Sequence, residues 1–213
     1  MSRLRVSEIF YSLQGESRSV GWPTVFVRLV GCPLRCVYCD TAYAFKGGEW
    51  MERDEICRRV GDFDCRHVTV TGGEPLAQKE VLPLLVSLCD AGHETSLETS
   101  GSLDIADVDP RVSIVMDIKT PGSGEEQKNR WENLALLQKK DQIKLVIAGR
   151  EDYEWARAQL KAHGLADITQ VLFSPVQGQL APADLADWIL QDRLPVRFQL
   201  QLHKILWGEE PGK

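Results

Sequence analysis

No run of lysines and arginines in this 213-residue chain is long enough to lay a positive stripe along a phosphate backbone, and the formal net charge is -6. Direct nucleic-acid binding is therefore not expected. Long apolar runs are missing too: the longest, near VLPLLVSLC at 81–89, is interrupted by Pro83 and is too short to cross a bilayer. The opening residues, MSRLRVSEIFYSLQGE, lack the apolar core of a signal peptide. The expectation is a soluble, cytoplasmic protein with no membrane partner. In that reducing compartment six cysteines do not make a disulfide framework, so any that cluster point to a metal or to redox chemistry. Repeats, low-complexity tracts and linkers are also absent. With 43% hydrophobic residues the chain can bury one sizeable core, and a single domain over 1–213 is the reading.

What is present alternates. Runs rich in β-branched and aromatic residues occur at 24–30 (TVFVRLV), 67–71 (HVTVT), 94–99, 113–118 (SIVMDI), 142–148 (QIKLVIA) and 169–173. Helical patterns lie between most of them, at 53–60, 76–91, 125–138 and 152–163, with another at 182–191. Such alternation implies an α/β fold of parallel strands joined by right-handed crossovers, either an open doubly wound sheet or a (β/α) barrel. The chain is short for eight units, which favours a partial, TIM-like barrel of about six, (β/α)6, with ligands at the C-terminal strand ends. Polar and glycine-rich segments gather there: the cysteine-rich 31–41, TGGEP at 71–75, ETSG at 98–101, DIKTPG at 117–122 and FSP at 173–175 each follow or end a strand.

Cys32, Cys36 and Cys39 have the spacing C-x3-C-x2-C, which lets one short loop curl around an inorganic centre. A structural zinc would need a fourth ligand, and the nearest following histidine, His67, lies 28 positions past Cys39 in a strand pattern. A cubane iron-sulfur cluster can instead take three thiolates and leave one iron open, as a catalytic site requires. Cys57, Cys65 and Cys89 share no ligand spacing and read as packing thiols.

With Tyr38 just before the last cysteine, this spacing resembles the radical S-adenosylmethionine superfamily, and TGGEP resembles its second motif. That resemblance implies a 4Fe-4S cluster whose open iron binds S-adenosylmethionine, and a 5′-deoxyadenosyl radical that takes a hydrogen atom from substrate. Gly72 and Gly73 would then let backbone approach the methionine moiety, and Glu74 would offer a carboxylate near its ammonium. SLQGE, VFVRLVGCPLRCVYCDT, TGGEP and a late QLHK, in that order, resemble the 7-carboxy-7-deazaguanine synthase family over nearly the whole chain. Members convert 6-carboxytetrahydropterin to 7-carboxy-7-deazaguanine with loss of ammonia, on the route to queuosine and other deazapurines. They use magnesium, take electrons from a donor such as flavodoxin or ferredoxin, and are typically homodimers.

Carried over by position, the resemblance implies that Leu13, Gln14, Gly15 and Glu16 meet the pterin, that Arg28 pairs with its carboxylate, and that Thr71 and His203 complete the substrate site. Planar guanidinium suits a bidentate carboxylate, although an arginine in an apolar strand also serves in structural ion pairs. Thr41 would give magnesium one oxygen. For S-adenosylmethionine it points to Tyr38, Cys39, Asp40, Gly73, Glu74, Ser100, Asp117, Lys119 and Ser174. The chain has DIK where many relatives have Ser-Pro-Lys, and GES for GEG, so Asp117 could bind ribose or simply pair with Lys119. Trp207, in the C-terminal tail, could cover substrate or a dimer contact. Two other classes share parts of the pattern: a glycyl-radical activase, which has similar cysteines and should lack SLQGE, and a zinc module without enzymatic activity.

Overall fold

The computed structural model describes residues 3–208, 210 and 212. Among these residues nine strands form one sheet: β1 (Arg3–Leu13), β2 (Pro23–Leu29), β3 (Glu49–Glu52), β4 (His67–Gly72), β5 (Glu94–Thr99), β6 (Ser113–Ile118), β7 (Gln142–Ile147), β8 (Gln170–Pro175) and β9 (Arg197–Phe198). Their order is β3-β1-β2-β4-β5-β6-β7-β8-β9, so the sheet has two ends and does not close. From β2 through β9 every neighbour is parallel, while β1 and β3 are antiparallel to their partners. The six β-rich runs read from sequence are β2 and β4 to β8, the staves of a partial barrel.

Helices α1 (Arg53–Gly61), α2 (Val81–Asp90), α3 (Arg150–Ala162), α4 (Leu165–Ile168), α5 (Pro182–Asp192) and α6 (Leu202–Trp207) complete the fold. The apolar periodicity of α2 places Val81, Leu84, Leu85 and Leu88 on one fully buried stripe. That stripe packs in a core with Val25, Val27, Val68, Val70 and Leu97 from β2, β4 and β5. A second core joins β6, β7 and β8 to α3 and α5 through Ile143, Leu145, Phe173, Tyr153, Leu185 and Ile189.

Three sequence expectations change. The helix expected over 125–138 is two short 3-10 turns, Glu126–Lys128 and Trp131–Leu136. Side chains take the bonds a helix would have used. Asn129 brackets Lys119 by accepting from its N–H and donating to its carbonyl, both at 2.8 Å, and Asn133 donates to the carbonyls of Gly101 and Leu103. The segment is thereby pinned to the ends of β5 and β6. Second, residues 3–13, outside every β-rich run read from sequence, form the strand β1. Third, the sheet is not purely parallel, because β1 and the short β3 lie antiparallel at its edge.

Candidate active site

The loop from Gly31 to Thr41 leaves the C-terminal end of β2 and meets the turn after β4 backbone to backbone. Gly73 donates to the Leu29 carbonyl at 3.2 Å and Glu74 to the Gly31 carbonyl at 2.8 Å. A Cβ on Gly72, at φ 147°, would stand 2.2 Å from Leu29 O, and one on Gly73 would stand 2.3 Å from Gly31 O. The two glycines are therefore required by contact with the cysteine loop itself. On that loop Cys32, Cys36 and Cys39 are half-buried and unbridged, and all three line one cavity of about 630 Å³. Burial pushes the Cys32 and Cys36 thiols up, while the Lys119 ammonium favours their thiolates. Among the described residues no three His, Cys, Asp or Glu side chains converge on a single-ion site. The donor set, three open thiols spread along a cavity wall beside a buried cation, fits a multi-atom inorganic centre.

The opposite wall has an unexpected origin. Because β1 runs antiparallel to β2, Leu13 pairs with Pro23 at the end of β2 remote from the cysteines. The loop that follows enters the barrel from below, with Gln14, Glu16 and Ser17 buried. A buried loop must have its peptide groups satisfied, and here glutamines do it. Gln199 accepts from Ser17 N at 2.8 Å and donates to Ser17 O, while Gln142 accepts from Arg18 N at 2.6 Å. Gln14 reaches up to Thr69 Oγ1 (3.1 Å) and Glu98 Oε1 (3.3 Å).

Above this floor lies a chain of ion pairs. Lys144 of β7 bridges Glu16 (2.7 Å) and Asp117 (3.3 Å), and Lys119 pairs with Asp117 at 3.1 Å. Burial opposes the charge on both lysines, but the facing carboxylates outweigh it and raise both pKa values. Glu98, half-buried on the cavity wall, accepts from Thr71 Oγ1 at 2.9 Å; desolvation, then the Glu16 charge, raises its pKa. One oxygen of the floor carboxylate, Glu16 Oε1, is buried with no hydrogen-bond partner among the described residues, and its acceptor capacity suits a ligand donor.

On the β1/β2 side, Arg28 gives its Nε to Glu8 at 2.6 Å and lies over the rings of Phe10 and Tyr43. Tyr43 donates to the same Glu8 oxygen at 2.8 Å, and burial pushes its hydroxyl up to about 12. Arg28 is thus in a structural ion pair and also on the cavity wall. Among the described residues no side chain takes its two Nη nitrogens, so the fork remains available to a carboxylate.

At the mouth, Thr41 donates its hydroxyl to Asp40 Oδ1 (2.8 Å), and Lys204 of α6 pairs with Asp40 Oδ2 (2.9 Å). The hydroxyl proton being spent on Asp40, the lone pairs of Thr41 Oγ1 are free to meet a cation. The same helix reaches the floor: Leu202 N donates to Gly15 O at 2.9 Å, and a Cβ on Gly15 would stand 2.0 Å from His203 Nδ1. Burial lowers the pKa of His203.

The cavity collects every residue named from sequence for cluster, metal, substrate and cofactor except Glu74 and Ser174. Glu74 is fully buried and faces the strand ends. Its carboxylate accepts from Thr99 Oγ1, from Ser100 N (2.7 Å) and Oγ, and from Leu76 N (3.0 Å). It fixes the end of β5 instead of offering a free carboxylate to an ammonium. Asp40, named for the cofactor, spends its oxygens on Thr41 and Lys204. Ser174 is buried in β8, its hydroxyl without a partner among the described residues, and lies outside the cavity lining. Trp207 is also absent from the lining. Sequence reasoning missed Glu8, Tyr43, Glu98, Lys144 and Lys204. A lysine inside the apolar run QIKLVIA and a glutamate inside the strand end ETSG were the available signals.

Residues 26–118 match the model of the radical SAM superfamily. A 7-carboxy-7-deazaguanine synthase of Chlorobaculum tepidum is 49% identical over 97% of this chain and 96% of its own length. One from Koribacter versatilis is 43% identical over 97% and 98%. The crystal structure of QueE from Escherichia coli superimposes with a TM-score of 0.78 over 95% of this chain and 96% of that one, at 22% identity, and so shares the fold. Identity at this level along essentially the whole length settles the matter: the chain belongs to the 7-carboxy-7-deazaguanine synthase family of the radical SAM superfamily.

Proposed function

We propose that this chain converts 6-carboxytetrahydropterin to 7-carboxy-7-deazaguanine with loss of ammonia, in queuosine and deazapurine biosynthesis, as a radical SAM carbon-nitrogen lyase. The observation that carries this reading is a single cavity with three open thiols on one wall and, facing them, an arginine fork, a polar loop and a histidine. Cys32, Cys36 and Cys39 would hold the 4Fe-4S cluster. When bound, cluster and S-adenosylmethionine supply one-electron cleavage of the sulfonium and a carbon radical that takes hydrogen from the substrate.

The protein's own contribution is positioning and exclusion of water. The Arg28 fork receives the substrate carboxylate, held rigid by Glu8 and the two rings. Buried Glu16 and half-buried Glu98, with Gln14 and the Gly15 backbone, present acceptors and donors to the edge of a fused heterocycle, and His203 covers it. Gly73, Ser100, Asp117 and Lys119 line the side nearer the cysteines and are assigned to S-adenosylmethionine, with Tyr38, whose hydroxyl is anchored on Thr120 and Val146 O. Glu74 positions Ser100. Thr41 would hold magnesium by one neutral oxygen, with the substrate carboxylate completing the site. An electron donor of the flavodoxin or ferredoxin kind, a homodimer, one domain over the whole chain and a cytoplasmic location complete the proposal. No described helix is long and apolar enough to cross a membrane.

The test is anaerobic reconstitution followed by iron and sulfide analysis and incubation with a reductant, S-adenosylmethionine and 6-carboxytetrahydropterin. About four irons per chain and formation of 7-carboxy-7-deazaguanine are expected, both lost in Cys36→Ala. Zinc without iron or sulfide would sink the cluster. Competent cleavage of S-adenosylmethionine without that product would redirect the reading to another radical enzyme, such as a glycyl-radical activase.

A further inference from the structure

The middle of the cysteine loop is held from outside. Its first residue is fixed to its surroundings, with Gly31 N donating to Ala44 O at 2.9 Å and Gly31 O accepting from Glu74 N at 2.8 Å, and its own backbone closes the turn from Cys39 N to Cys36 O at 3.2 Å. Between these points the contacts come from the segment 120–125 that follows β6. Glu125 Oε1 accepts from Arg35 N at 2.5 Å, the Ser123 carbonyl accepts from Val37 N at 3.0 Å, and Thr120 Oγ1 meets the Tyr38 hydroxyl at 3.3 Å. Both peptide N–H groups that flank Cys36 are therefore taken by one segment.

That segment is itself well anchored. Ser123, fully buried, donates its hydroxyl to Thr120 O at 2.6 Å and accepts from Glu125 N at 3.1 Å. Asp152 of α3 accepts from Gly122 N at 2.7 Å, and Thr120 Oγ1 donates to Val146 O at 3.0 Å. Elsewhere in the loop an N–H outside the reach of this segment turns to sulfur: Leu34 N donates to Cys32 Sγ at 3.4 Å. Hydrogen bonds to the sulfurs of an iron-sulfur centre stabilise the extra negative charge of its reduced form and so raise its potential, whereas a centre that must reduce a sulfonium needs a low one. We propose that Glu125 and the Ser123 carbonyl withhold the Arg35 and Val37 N–H groups from the cluster sulfurs, so that the segment 120–125 keeps the centre strongly reducing. The inference rests on the proposed cluster at Cys32, Cys36 and Cys39 and extends it. Glu125 is a positioning residue here: it acts on the centre through the Arg35 peptide.

Two variants separate the hydrogen bond from the charge. Glu125→Ala releases the Arg35 N–H, while Glu125→Gln keeps an acceptor oxygen at the same reach and removes only the charge. The Arg35–Glu125 bond lies at the surface, so neither change disturbs the core. The experiment measures the reduction potential of the anaerobically reconstituted protein, without S-adenosylmethionine, by electron paramagnetic resonance of the reduced state at stepped potentials. Wild type and Glu125→Gln are expected to share one potential. Glu125→Ala should lie more positive by at least threefold in the one-electron equilibrium, about 28 mV. Electron–nuclear double resonance of reduced Glu125→Ala after exchange into D2O should also show a deuteron coupling that wild type lacks, which a merely structural loss would not produce. An unchanged potential in Glu125→Ala, or an equal shift in Glu125→Gln, would overturn the inference while leaving the cluster reading intact. A wild-type protein that takes up no iron would instead overturn the cluster reading, and the inference with it.

Discussion

Gly15 and His203 offer a test of how the floor loop and the C-terminal helix are coupled. The backbone of Gly15 is not in the left-handed region, so alanine there carries no conformational penalty. In isolation the change should even stabilise, by about 0.4–1 kcal/mol, through the unfolded chain. The obstacle is the imidazole: the new Cβ would stand 2.0 Å from Nδ1 and 2.9 Å from Cγ of His203, far inside van der Waals contact. Rigid overpacking of this kind costs roughly 1–3 kcal/mol. Gly15→Ala is therefore expected to destabilise docking of α6 by about 1–2 kcal/mol, which is the overpacking cost less the chain-entropy gain. The Leu202 amide, bonded to Gly15 O, reports that docking directly, and its exchange should accelerate roughly 5–30-fold. Global melting is the coarser readout, with about 2–4 °C per kcal/mol for a chain of this size. In a His203→Ala background the ring is gone, and the same Gly15→Ala change should be neutral or stabilising. A reversal of sign between backgrounds is the prediction. If the double variant showed the simple sum of the two single effects, the steric coupling would be refuted and the floor and helix would be energetically independent.

Three further outcomes follow from the site. Lys144→Met leaves Glu16 and Asp117 facing a low-dielectric interior without their shared cation, and should cost roughly 3–5 kcal/mol at pH 7 in denaturant unfolding. A loss below about 1 kcal/mol, the worth of an exposed pair, would count against the bridge. Glu74→Gln removes the charge from bonds to Thr99 and Ser100 and should lose about 1.5–3 kcal/mol of stability, together with affinity for S-adenosylmethionine through Ser100; intact affinity would show that the β5 end is held by other means. Burial, opposed by Glu16 and Asp40 and assisted by Lys204 and Lys144, depresses His203 below the ordinary imidazole value. The unfolded or undocked chain therefore binds the proton more readily. The contribution of His203 to docking is complete above about pH 6.5 and is lost as pH falls through the folded value. Leu202 protection, corrected for intrinsic exchange, should drop over that window and lose the drop in His203→Gln.

The parts of this molecule that sequence made legible share a physical cause. β2, β4, β6 and β8 are buried along most of their length and read as largely apolar or β-branched runs, while β5 and β7 alternate buried with half-buried residues that face the cavity. β1 escaped because, as RLRVSEIFYSL, it interleaves charged residues that serve the site: Glu8 faces Arg28 in the cross-strand register. The turns after β6 escaped because Asn129 and Asn133 bind backbone from outside the segment, and no local pattern announces a distant partner. Motifs located the cysteines, Arg28 and the loop at 14–16, because spacing and residue type together specify a chemistry. They could not give the direction in which a carboxylate points, so Glu74 was read as a ligand when it is an anchor. Lys144 carries no motif, and ETSG and QLHK do not single out Glu98 or Lys204; the importance of all three arises from partners far away in sequence.

The antiparallel course of β1 explains why one cavity can hold both a metal centre and a polar ligand floor. In a barrel of parallel strands, loops that follow strands emerge at one end only, and everything a loop can offer competes for that rim. Reversing the first strand delivers the next loop to the other end, where Leu13 meets Pro23, and Gln14 to Ser17 then rise into the interior beneath the cysteines. The arrangement needs two supports that a surface loop would not. The peptide groups of the loop must find buried partners, which Gln142 and Gln199 provide, and its one carboxylate must be neutralised, which Lys144 provides. The open edge of the sheet needs a third, because a barrel that fails to close would admit water beside the reacting centre. The helix α6, following β9, touches the floor at Gly15 and the cysteine loop at Asp40, and so ties bottom to top on that side. Loss of the floor contact should therefore loosen the helix that closes this side, which is why Leu202 exchange is expected to respond to changes at Gly15.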